Sequence, residues 1–259
     1  MPELPEIAAA VEQLAQAIAG KTVLRLEVLH AAIARKMPRP AAASLAGIVV
    51  AGVARRGKHQ VIRLGDGRVI VAHFRLNGEW EVGRHDDPVP RFARAVLAMD
   101  DGTRVVLVDS RALSSLVLAA TAEQVLPRMG PEADDPSFTA DTLGEALKKR
   151  RGRIKPALLD QRVVAGLGNI YAAEALWLAK ISPFTPASKL GPARRARLVN
   201  AIRDVLRRAP SGRYWMSDRV TNWRVYDREG QKCKRCGGRI KRSAQAGRST
   251  FHCPSCQKR

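Results

Sequence analysis

This sequence lacks long apolar runs and a secretory leader, is poor in aromatic and acidic residues, and holds no cysteine until position 233. No stretch approaches the ~20 consecutive apolar residues that a membrane span requires. The opening MPELPEIAAA has neither the basic nor the apolar region of a secretory signal. These absences lead us to expect a soluble, cytoplasmic protein, nucleoid-associated if bacterial, with no membrane partner. Aromatic residues make up 5% of the chain, too few for the bulky apolar face with which a basic segment enters a lipid surface. Acids are scarce as well: 24 Asp and Glu stand against 45 Lys and Arg, a formal charge of +21. Such an imbalance points to a polyanionic ligand, nucleic acid first, although a merely basic soluble protein would share it.

At 259 residues the chain has room for two moderate domains and a small appendage. Its four cysteines, Cys233, Cys236, Cys253 and Cys256, form two CxxC pairs separated by sixteen residues. In a reducing compartment that spacing suits one tetrahedral, structural zinc site better than disulfides.

Ile7, Val11, Leu14 and Ile18 recur at helical spacing, with Pro5 suited to a first turn and Gly20 to a stop. From Thr22 the period changes: Leu24, Leu26 and Val28 alternate. Val61–Leu64 and Val69–Val71 then flank Gly65-Asp66-Gly67, and Ala95–Leu97 and Val105–Val108 flank Asp101-Gly102, two hairpin signals. After Pro131 helical patterns take over. Leu198, Ile202, Val205 and Leu206 make an apolar stripe that leaves Arg194, Arg195, Arg203, Arg207 and Arg208 for other faces. No internal repeat stands out.

Residue 2 is proline, and removal of the initiator Met would expose a secondary amine beside Glu3. Free α-amines titrate near about 7.7–8.0, so a useful fraction is neutral and nucleophilic at working pH. Pro and Glu also simply open helices, and both readings stand on the first six residues alone.

MPELPEI, Lys58 in Arg56-Gly57-Lys58, Gly166-Leu167-Gly168-Asn169-Ile170-Tyr171 and the paired CxxC motifs occur in this order over essentially the whole chain. In this conjunction the sequence resembles the formamidopyrimidine-DNA glycosylase and endonuclease VIII family. The resemblance implies an α+β multidomain fold: an N-terminal β-sandwich with a leading helix (2–130), a helix-two-turns-helix domain (131–228) and a C-terminal β-hairpin zinc finger (229–259). It implies a monomer that holds damaged double-stranded DNA in a cleft, flips the damaged nucleotide out and fills the gap with inserted side chains. It assigns catalysis to Pro2, Glu3, Glu6, Lys58 and Arg248: Pro2 as nucleophile at C1′, Glu3 as the carboxylate that moves protons around the sugar, Glu6 as a second acid in the same segment, Lys58 as general acid, and Arg248 gripping phosphates and assisting the second elimination. DNA contacts fall to Leu76, Arg111, Leu113, Arg150, Lys155 and Asn169, with Asn169 capping a helix whose free N–H groups face a phosphate. Lys232, Lys234, Arg235, Arg239, Lys241 and Arg242 around Arg248 would add salt-sensitive affinity.

The chain departs from the family where the DNA gap is filled. It has His73-Phe74-Arg75-Leu76-Asn77-Gly78, with Trp80 following, and Asp109-Ser110-Arg111-Ala112-Leu113-Ser114, where formamidopyrimidine glycosylases carry a Met in the first stretch and Asp-Pro-Arg-Arg-Phe-Gly in the second. Leu76 and Leu113 are expected to replace the usual wedges. Gly212 to Gly230 is short for a lesion-covering loop, so a shifted base preference is expected. Two other classes share some of these features. A non-catalytic zinc-ribbon DNA binder explains the charge and the cysteines but not the PELPE start or Lys58. An N-terminal-proline tautomerase of small acids fits neither the length nor the thiols.

Overall fold

The structure, a computed structural model, describes residues 2–209 and 222–258 and divides into two compact units, Met1–Pro127 and Arg128–Arg259. In the first unit α1 (Leu4–Ile18) forms where the apolar spacing places it, with Pro5 in its first turn. Leu14 and Ile18 are fully buried, each worth about 1.5–3 kcal/mol relative to exposure. The helix stops at Gly20, whose φ of +79° is a left-handed conformation that glycine adopts without steric cost.

The chain continues through β1 (Val23–Val28), α2 (Ala31–Ala34), α3 (Arg39–Ala43), β2 (Val50–Arg56), β3 (His59–Leu64), β4 (Val69–His73), β5 (Glu79–Arg84), β6 (Ala93–Met99), β7 (Thr103–Val108) and β8 (Ser115–Ala119). These strands make two four-stranded sheets, β1-β6-β7-β5 and β2-β3-β4-β8, antiparallel throughout. Both hairpin signals fold as expected, turning at Gly67 and Gly102 with φ of +89° and +83°. Ile62, Ile70 and Leu116 from one sheet meet Leu97, Val105 and Leu107 from the other, with Ile7, Leu14 and Ile18 of α1, in one buried cluster. This is a β-sandwich with a leading helix. One expectation fails inside it. The β1–β6 register slips between Val23 and Arg25, and Leu24, which alternation would place with Leu26 and Val28, is 49% exposed, because the irregularity re-aims a side chain that strict pleating would have kept inside.

The second unit holds α4 (Ala140–Leu147), α5 (Ile154–Leu159), α6 (Asn169–Leu178), α7 (Pro192–Arg207) and the hairpin β9 (Lys241–Gln245) and β10 (Arg248–His252). Residues 170–177 of α6 are all buried, as befits a helix that is apolar on every side. On α7, Leu198, Ile202 and Leu206 form the stripe, joined by Val199 and Ala201, with Val205 only half-buried. Its arginines are not all left to solvent. Arg203 donates to the carbonyls of Pro136 and Phe138, and Arg194 to Thr185 Oγ1. Arg195 lies against Gly144, where any side chain would collide with its guanidinium. The stripe rule sees only apolar periodicity and cannot tell a solvated arginine from one that satisfies loop carbonyls. No helix among the described residues is long and apolar enough to cross a membrane.

Candidate functional site

Pro2 is buried just ahead of α1, and Glu3 and Glu6 are 2% and 8% exposed. The Glu3 N–H donates to Glu6 Oε2 at 2.8 Å. Glu6 therefore acts at the third helical position as one half of a capping box, holding the backbone that carries Glu3. Lys58 follows Gly57, whose φ is +56°, in the tight turn between β2 and β3. Only 7% of it is exposed, unlike the usual lysine of a hairpin turn. Ionisable side chains are rarely buried without partners or a function. His59 and His73 stack edge to face at 4.6 Å. Burial first, then the charges of His59, Arg75 and Lys58, push the His73 imidazole down to about 3. Neutral His73 is what the geometry needs, since its Nδ1 accepts the Arg75 N–H at 2.8 Å.

That bond opens the first of two neighbouring loops. Arg75 and Ala112 have φ of +58° and +51°, left-handed conformations that cost non-glycine residues about 1 kcal/mol or more and persist only where the surroundings impose them. Leu76 is half-buried, while Arg111 and Leu113 are exposed. Asn77 donates through Nδ2 to Ser110 Oγ, so the loops bearing Leu76 and Leu113 touch. Trp80, behind them, gives its indole N–H to Gln60 Oε1.

In the second unit Asn169 is the first residue of α6, but Gly168 is its N-cap and no side chain caps the helix. The capping expected of Asn169 is thus corrected: its Oδ1 instead accepts from Lys155 Nζ at 2.6 Å. Lys155, 1% exposed, also donates to Ser249 O at 2.9 Å and Thr250 Oγ1 at 3.0 Å. It ties the start of α6 to the strand that begins with Arg248. Gln161 shapes the connection between α5 and α6, donating to Leu167 O and accepting from Gly166 N–H. Arg150 pairs with Asp160 at 2.6 Å, which Arg162 shares.

The Sγ atoms of Cys233, Cys236, Cys253 and Cys256 all lie within 4.8 Å of one another, with Cys233–Cys256 at 3.9 Å and Cys236–Cys253 at 3.4 Å. A thiolate tetrahedron with metal–sulfur bonds of about 2.3 Å has edges near ~3.8 Å, so four thiols here fit one zinc ion with no open position. The thiols differ in acidity. Burial raises Cys233, but the Trp177 indole N–H, at 3.3 Å, and neighbouring backbone N–H groups overcome it and pull the thiol down to about 6. Burial and Cys253 push Cys256 up to about 12. Only a cation among them lets all four ionise together. The zinc is structural and fixes the hairpin. Arg248, at the start of β10, is exposed. Of the basic residues around it, Arg235 is drawn inward, its guanidinium 3.8 Å from the Trp177 ring centre and donating to Trp177 O.

Sequence reasoning missed Glu174 and Asp109. Glu174, 4% exposed, accepts the N–H groups of Arg224, Val225 and Tyr226 at 2.8–2.9 Å, and burial, opposed by these bonds, holds its carboxyl above the ordinary range. A lone acid amid Ala172-Ala173 and Ala175-Leu176 was the available signal. Asp109 accepts the N–H groups of Arg111, Leu113 and Ser114. An Asp opening a polar turn was its signal. The expectation about Gly212–Gly230 falls largely on 212–221, outside the described residues.

Three family descriptions match the chain: the formamidopyrimidine-DNA glycosylase N-terminal domain over residues 1–116, its H2TH domain over 129–215, and the zinc finger found in FPG and IleRS over 230–259. The chain is 37% identical to the formamidopyrimidine-DNA glycosylase of Rhizorhabdus wittichii and 39% identical to that of Roseiflexus sp., with all of each chain covered. Its fold is similar to Lactococcus lactis formamidopyrimidine-DNA glycosylase bound to DNA containing an AP site, at a TM-score of 0.90 and 31% identity, covering 99% of this chain and 100% of that one. It is equally similar, at a TM-score of 0.90 and 32% identity over the full length of both, to MutM in complex with DNA containing carbocyclic 8-oxo-G.

Proposed function

The chain belongs to the formamidopyrimidine-DNA glycosylase family, and on that premise we propose that it is a monomeric base-excision-repair glycosylase that excises an oxidised base from double-stranded DNA and then cleaves the strand. The carrying observation is that Pro2, Glu3, Glu6 and Lys58 are all buried within one unit although three of them are ionisable.

With Met1 removed, the Pro2 amine attacks C1′ of the extruded nucleotide. A C1′–N bond forms, the bond to the base breaks, and the base departs with a proton. Opening of the sugar ring leaves an iminium, which acidifies the C2′ proton; its loss expels the 3′ phosphate, and a second elimination expels the 5′ phosphate. Glu3 moves protons around the sugar oxygen, Glu6 holds Glu3 in place, and Lys58 gives a proton to a leaving or phosphate oxygen. Leu76 and Leu113 fill the gap and Arg111 faces the estranged base. Arg248, Asn169 and Arg150 serve phosphates in the second unit, and Lys155 acts through Asn169 and the strand of Arg248. Function thus divides over a sandwich, a helical part and a finger. The zinc, held by the four cysteines, supplies no chemistry to the reaction.

Borohydride trapping tests this reading on duplexes carrying 8-oxoguanine, formamidopyrimidine, dihydrouracil or an abasic site. A covalent adduct is expected, absent in Pro2→Gly, and the lesion trapped best gives the preferred base, oxidised purine or oxidised pyrimidine. No adduct on any duplex, or an active protein whose intact mass retains Met1, overturns it in favour of a DNA-binding protein without the chemistry.

A further inference from the structure

Loops with left-handed non-glycine residues keep that shape only when something imposes it, and in the 109–114 loop the agent is one carboxylate. Asp109 is 1% exposed. Its Oδ1 accepts the Arg111 N–H at 2.9 Å, and its Oδ2 accepts the N–H groups of Leu113 and Ser114 at 2.8 and 2.7 Å. Ser114 Oγ lies 2.7 Å from the same Oδ2 and 3.1 Å from Phe74 O, so its single proton serves one or the other. Burial works against the charge, but the bonds from Ser114, Arg111 and Leu113 outweigh it and hold the acid below the ordinary carboxylate range. From the opposite side Arg94 Nε donates to Asp109 O at 2.6 Å. The second loop is fastened to the first through its last two residues. Asn77 donates to Ser110 Oγ, and Gly78 packs so closely on Ser114 Oγ and the Phe74 backbone that no side chain fits there.

We propose that Asp109 is a positioning residue that gathers loops 109–114 and 74–78 into a single wedge, formed before DNA is met, which presents Leu76, Arg111 and Leu113 together. Leu113 is 45% exposed and does not hold itself in place by burial. Its direction is set by its own N–H on Asp109. A wedge built in advance loses no loop entropy on entering the base stack, and so favours extrusion of the lesion. The inference rests on the proposed function, in which these three side chains occupy the gap.

The test uses the whole zinc-loaded protein, with Asp109→Asn and the milder Ser114→Ala, which removes only the hydroxyl. Amide hydrogen exchange in the free protein is expected to show the Leu113 and Ser114 N–H groups protected, and at least about tenfold less so in Asp109→Asn. kcat/KM on a duplex lesion should fall about tenfold or more in Asp109→Asn and less in Ser114→Ala, mainly through kcat. Adduct formation with a single-stranded abasic oligonucleotide, where there is no gap to fill, should not change. Unprotected amides in the wild type, an unchanged duplex rate, or an equal fall on single strands would overturn the proposal. If the wild type forms no adduct at all, the enzymatic reading fails while the exchange measurement still decides whether the wedge is preformed.

Discussion

Arg111 and Arg248 are both exposed arginines beside turns, one in each unit, and they are held by different means. Arg111 lies in a loop outside any strand, shaped by a buried carboxylate that collects backbone N–H groups. Arg248 opens a strand paired to Gln245, in a hairpin whose neighbouring loops carry four thiols. The support differs accordingly. The unit that carries Arg111 holds the large apolar cluster of two sheets and a helix. The finger's cluster is small, with Ile240 and Phe251 meeting Trp177 and Val225. Where enough apolar surface is buried, one polar residue suffices to shape a loop; a segment of some 30 residues cannot bury that much and needs a metal.

Zinc removal should break this comparison most sharply. Structural zinc contributes an apparent ~10–16 kcal/mol in isolated finger peptides, so chelation should strip amide protection from β9 and β10 while β1–β8 keep theirs; equal loss in both units would show that the sandwich also depends on the metal. Leu14→Ala is the converse, expected to destabilise the first unit by about 2–5 kcal/mol in urea with one zinc per chain retained. Glu174→Gln leaves the second unit a poorer acceptor for three backbone N–H groups and should cost about 1–3 kcal/mol, seen as a lower urea midpoint for the second unit, whereas Asp109→Asn should lower that of the first. Arg248→Ala is expected to weaken binding to all duplexes alike and to reduce the log–log salt slope by about one, whereas Arg111→Ala should leave that slope and change discrimination among bases opposite the lesion.

The smallest effect concerns pH. His73 titrates near 6.5 when unfolded but only at about 3 in the fold, so between those values the unfolded chain binds the extra proton. Stability is therefore lost as pH falls from about 6.5 toward 3, by at most about 1.4 kcal/mol per pH unit. His73→Asn, which can still accept the Arg75 N–H, should flatten that slope by up to one proton in denaturation at pH 7 and 5.

Much of the fold was legible because it rests on short-range rules. Ile7, Leu14 and Ile18 announced α1, Asp-Gly pairs announced two hairpins, and CxxC spacing announced the metal site. What failed did so where a distant partner decided the outcome. Leu24 obeyed alternation but lay at a register slip against β6. Arg194 and Arg203 looked solvated until loop carbonyls 138 and earlier, and Thr185, were seen beside them. Asn169 had the residue type of a cap, yet Lys155 claimed its side chain.

By itself the sequence determined the leading helix, the two hairpins, the apolar stripe of α7 and the finger, since periodicity, turn residues and ligand spacing are properties of neighbours along the chain. It also determined the family, through motifs that need only be present in order. The tertiary structure alone decided which charged residues are enclosed: Lys155 among Asn169, Ser249 and Thr250, Glu174 under residues 224–226, and Asp109 within its loop. A buried charge is stable only when donors or acceptors from other segments converge on it, and that convergence exists only once the chain has folded.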